Sequence, residues 1–144
     1  MIGNLNCYNM NFYFWMFVWL YILIPYEIKK EEIRIEQIIQ TQKPEVVTMT
    51  TYRAVAEECD STPNITASGF KITNPKKHKI IAVSHDLKKK WKWGTKVQIV
   101  GAGEYDGTYY VIDLMHRRFK KRIDILIGRK DKQTKLKKIK VYTI

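Results

Sequence analysis

From Val46 to the end of the chain, apolar residues come in short β-branched and aromatic runs, each closed within a few positions by Gly, Pro, Asn or Asp. That texture belongs to strands joined by tight turns, and it excludes a helical domain. Candidate strands are Val46–Tyr52, Ile80–Ser84, Lys96–Val100, Thr108–Leu114, Arg122–Ile127 and Lys138–Thr143, with turns at Gly101-Ala102-Gly103 and Asp106-Gly107. Leu87–Trp93 has room for a helical turn. Strands this short at this spacing predict an all-β closed barrel over 46–144 rather than an α/β sheet.

The segment before the barrel is of a different kind. Tyr8–Tyr26 carries no charge and is apolar or aromatic apart from Asn9 and Asn11. Its length is at the lower edge of what spans a bilayer as a helix, and its Trp and Tyr residues suit a membrane interface. An export signal or membrane anchor over 1–26 is therefore expected, against a hydrophobic plug that docks on a partner protein. Residues 27–45 read as a polar linker or short helix ending at Pro44; Ile28, Ile33, Ile35, Ile38 and Ile39 fit helical spacing and alternation about equally.

The net charge of +12 is unevenly spread: residues 1–45 hold four basic and five acidic side chains, which leaves the barrel segment at +13. A field of that sign attracts polyanions without selecting among them. No nucleic-acid motif accompanies it, so no specific nucleic-acid partner is expected. The two cysteines, Cys7 and Cys59, form no metal-binding pattern with histidines, and neither a metal nor a cofactor is expected.

Two aspartates stand out because each interrupts or closes an apolar strand. Asp124 sits inside Ile123-Asp124-Ile125-Leu126-Ile127, and Asp113 ends Tyr109-Tyr110-Val111-Ile112-Asp113. A carboxylate in such a run is either held by a partner, Arg122 being the nearest for Asp124, or stands at the mouth of a cleft. Strict alternation puts Asp113 on the same face as Val111 and Tyr109. Two strand-borne carboxylates joined by the basic loop Met115–Lys121 have the composition for acid-catalysed cleavage of a glycosidic bond. Thr66-Ala67-Ser68-Gly69 reads as an ordinary turn or as a place where a sugar chain approaches the backbone. Trp91 and Trp93 suit either packing at the barrel's end or stacking on sugar rings, and His85 and His116 are either solvated loop histidines or candidates for a proton shuttle.

In order along the chain, T-x-Y (Thr50, Tyr52), T-A-S-G (Thr66–Gly69), I-A-V (Ile81–Val83), G-T-K-V-x-I (Gly94–Ile99), G-x-Y-x-V-x-D (Gly107–Asp113) and R-I-D-I-L (Arg122–Leu126) resemble the frame of the 3D, or Asp-Asp-Asp, domain of the double-psi β-barrel superfamily. This family includes membrane-bound lytic murein transglycosylase A and small stationary-phase muralytic proteins. The resemblance implies a six-stranded double-psi barrel acting on peptidoglycan glycan strands in the cell envelope, membrane-anchored or secreted, or carried by a phage. It gives Asp124 the role of general acid/base and Asp113 a supporting one, with Tyr52, Thr66, Ser68, Gly69 and His116 on the substrate side. The family's first aspartate is Ser84 here, and Asp86 is the nearest acidic substitute. Its glycine-rich segment after the second aspartate is replaced by Leu114–Lys121. These departures keep a non-catalytic glycan-binding or structural module open as the alternative.

Overall fold

The computed structural model describes residues 8–55 and 62–144, in two compact units, Met1–Gln40 and Thr41–Ile144. The described residues of the first lie in one helix, α1 (Tyr8–Thr41), with Pro25 inside it. It runs through the boundary expected near residue 26: Glu27–Thr41 is rich in Glu, Lys, Gln and Arg, which lose little side-chain freedom in a helix. Pro44, which disfavours helical geometry at the residue before it, lies just beyond the end. No helix among the described residues is long and apolar enough to cross a membrane. Cys7, Cys59 and Asp60 lie outside the described residues.

The second unit is a closed barrel of six strands: β1 (Glu45–Arg53), β2 (Ile80–Val83), β3 (Lys96–Val100), β4 (Gly107–Leu114), β5 (Arg122–Ile127) and β6 (Lys135–Thr143). Around the ring they run β1-β5-β2-β4-β3-β6. The pairs β1/β5 and β2/β4 are parallel, and the other four are antiparallel. Short helices α2 (Pro75–His78) and α3 (His85–Lys88) flank β2.

Period-two alternation fills the interior. Val47 and Met49, Ile81 and Val83, Val97 and Ile99, Tyr109 and Val111, Ile123 and Ile125, and Ile139 and Val141 meet in one core, which Leu87 and Trp91 extend. A second apolar cluster, including Tyr52, Ile72, Ile80, Ala82, Met115 and Leu126, lies on the other side of the same strands. The outer face of β1-β5-β2-β4 is thus also covered, and the functional candidates lie on that face.

Candidate functional site

The β-sheet register aligns the key side chains. Asp124 on β5 pairs with Thr50 of β1 on one side and with Ala82 of β2 on the other; Ala82 in turn pairs with Asp113 of β4. The two aspartates therefore flank one small residue, with Cα positions about 10 Å apart across two inter-strand spacings. Asp124 reaches the outer face by ordinary alternation, because Ile123 and Ile125 point into the core. Ala82 keeps the surface between the carboxylates low.

Asp113 reaches that face by a different route, and here the alternation expected from sequence fails. Ile81 pairs with Val111, but Ala82 pairs with Asp113, so β4 holds one extra residue, Ile112, at this point. This bulge separates Asp113 from the face that Val111 and Tyr109 turn to the core and sets it beside the outer cluster. There its Oδ2 accepts from Tyr52 Oη at 2.8 Å. Its Oδ1 accepts from the Ala67 and Leu114 amides at 2.8 and 2.9 Å. A carboxylate is an acceptor-only group with room for all three donors. Asp113 thus ties β1, β4 and the 62–72 segment together.

Both aspartates line one cavity of about 560 Å³, within the range of small-molecule sites. Tyr52, Ala82 and His116 line it too, as do Thr62, Pro63, Ile65 and Ala67 on one side and Met115, Arg118 and Phe119 on the other.

The remaining candidates take other positions. Thr66 is buried, with its Oγ1 3.0 Å from Ser68 Oγ and accepting from Phe70 N–H at 3.1 Å. Gly69, at φ +84°, closes the turn by donating its N–H to Thr66 O. These three residues build a turn, and of the turn it is Ala67 that lines the cleft, with its N–H on Asp113. Asp86 does not line the cavity; its Oδ2 accepts from Lys121 N–H at 2.9 Å. Desolvation pushes the Asp86 carboxyl up, but hydrogen bonds from the Ser84 hydroxyl and from the Lys121, Asp86 and Leu87 amides outweigh it and hold it below the usual aspartate value. Ser84 is fully buried and its Oγ accepts from Arg122 N–H at 3.1 Å. Position 84 therefore anchors β5 and, with Asp86, fastens the start of that strand.

His85 and the tryptophans also lie away from the cavity lining. Trp91 is buried in the core, and Trp93 is exposed with Lys88 Nζ 4.2 Å from its ring centroid. Sequence reasoning missed the Ala67 amide and undervalued Arg118. Only backbone geometry reveals the first, whereas the basic loop after Asp113 already signalled the second. Among the described residues no group of three His, Cys, Asp or Glu side chains could hold a metal ion. Comparison of the chain with family models, curated proteins and solved structures found no match.

Proposed function

We propose that the barrel is a double-psi β-barrel of the 3D type that cleaves peptidoglycan glycan strands, with Asp124 as general acid/base. The observation that carries this reading is the row Asp124–Ala82–Asp113 in the floor of a single cleft. In the proposed reaction Asp124 donates its proton to the glycosidic oxygen as the bond from the muramyl anomeric carbon breaks. The muramyl 6-hydroxyl closes on that carbon and returns its proton to Asp124, leaving a 1,6-anhydro end. The nucleophile belongs to the substrate and is already positioned, so one proton-carrying residue suffices. Asp113 is a positioning residue, holding Tyr52 and the Ala67 turn at the cleft's edge. The same reading puts the protein in the cell envelope, secreted or held by residues 1–26, or on a phage particle.

The test is digestion of purified peptidoglycan by the full chain, with mass spectrometry of the products. Anhydromuramyl ends are expected from the wild type, with Asp124→Asn slower by about 10²- to 10⁴-fold, the usual contribution of a positioned general acid. Unchanged turnover in that variant refutes the assignment.

A second reading, glycan binding without cleavage, draws on two observations: Asp113 is engaged by three donors, and Ser84 occupies the place of a third carboxylate. Strand binding by a folded wild-type protein that produces no new ends supports this alternative.

A further inference from the structure

The cleft is electrostatically two-sided. Its floor carries the carboxylates, and the wall from the β4–β5 loop carries His116 and Arg118. That wall is ordered by local contacts. The Phe119 amide donates to His116 O at 3.1 Å, and the Arg118 amide donates to His116 Nδ1 at 3.3 Å. In the neutral ring this leaves the proton on Nε2, a second donor on the wall. The Arg118 and Arg122 guanidinium carbons lie 4.8 and 4.5 Å from the Phe119 ring centroid, a stacking that leaves the guanidinium N–H edges available for a ligand.

We propose that Arg118, with His116 beside it, forms an anion subsite in the cleft for a carboxylate carried on the sugar next to the cleaved bond. The inference rests on the glycan-strand reading and specifies the substrate further: muramyl residues whose lactyl carboxylate is free of peptide. A carboxylate can take two parallel N–H bonds from the guanidinium of Arg118, which a neutral glycan cannot match. Arg118 and both aspartates line the same cavity of about 560 Å³. The anion therefore belongs on a sugar at the cleavage point rather than at the far end of a flexible stem peptide.

The experiment is calorimetric binding by the full-length Asp124→Asn protein, which holds strands without cutting them. Three ligands are compared: strands stripped of peptide by an amidase, the same strands with carboxylates capped as methylamides, and strands still bearing stem peptides. Stripped strands are expected to bind about tenfold tighter than capped ones, the size of one charge-assisted contact. Peptide-bearing strands should match the capped ones. Adding Arg118→Gln should erase the tenfold difference between stripped and capped strands, while Arg118→Lys keeps part of it. Lys132→Gln, at an exposed position outside the cleft, should keep the gain. Equal binding of stripped and capped strands, binding of neither, tighter binding of peptide-bearing strands, or a gain that survives Arg118→Gln each overturns the subsite. Wild-type cleavage is scored separately. Charge discrimination without anhydro ends keeps the subsite and sinks the cleavage reading, and cleavage indifferent to capping does the reverse.

Discussion

Asp113 and Asp124 look alike in sequence, each a lone carboxylate in a β-branched run, yet their surroundings differ. Asp113 gathers donors from Tyr52, Ala67 and Leu114. Asp113→Ala removes the acceptor of the part-buried Tyr52 hydroxyl and of the exposed Ala67 amide and should cost about 1–3 kcal/mol. In a domain of this size that is a fall in Tm of roughly 5–15 °C. An unchanged melting curve would show that Asp113 does not hold the turn. Asp86 makes a pH-dependent contribution. Its carboxyl titrates lower in the folded chain than in the unfolded one, so it stabilises the fold above about pH 4 and that contribution fades as pH falls through its folded value. Asp86→Asn should therefore be less stable than wild type near neutrality, with the gap closing in acid. Urea midpoints measured from about pH 7 to pH 2.5 check this, and a gap that widens on acidification contradicts it. The outward position of Asp124 was readable from Ile123 and Ile125 alone. The position of Asp113 was not, because no local signal marks Ile112 as an extra residue.

At the level of elements, the site depends on a bulge, a turn and a small residue on a short strand. The turn at Thr66–Phe70 requires φ +84° at Gly69, where an added Cβ meets nothing within 4 Å. Gly69→Ala should thus cost only the backbone strain of a left-handed residue, about 1 kcal/mol, seen as a Tm drop of a few degrees. A much larger drop would indicate a contact the turn does not show. Ala82 is 5 % exposed on the floor between the carboxylates. Ala82→Leu adds bulk to both the cleft floor and the outer apolar cluster, so the barrel should lose about 1–3 kcal/mol of stability while glycan binding by the folded protein falls at least about tenfold. Retained binding would move the substrate path away from the row of Asp124, Ala82 and Asp113. The six strands were legible in sequence because each alternates against one core. The turn's role was not, since Thr66 and Ser68 appear as free hydroxyls until their mutual hydrogen bond and the Ala67–Asp113 contact are known.

For the whole molecule, closure is the feature least visible in sequence, because it joins positions far apart along the chain. Strand β1 pairs with β5 on one edge and with β6, near the C-terminus, on the other. Every member of the core cluster falls between Val47 and Val141, so the barrel has its own interior without α1. Residues 41–144 should therefore fold alone, melting cooperatively within a few degrees of the full chain, as circular dichroism would report. Moving the cut to residue 54 removes β1, takes Val47 and Met49 out of the core and exposes unpaired edges on β5 and β6 at once. A barrel survives on closure, so that shorter chain should lose its cooperative melt and bind a hydrophobic dye. The two cuts separate the possibilities. If both fragments are molten, α1 is part of the barrel's stability. If both melt sharply, β1 is dispensable, and Tyr52 cannot be the strut that the cleft's geometry requires.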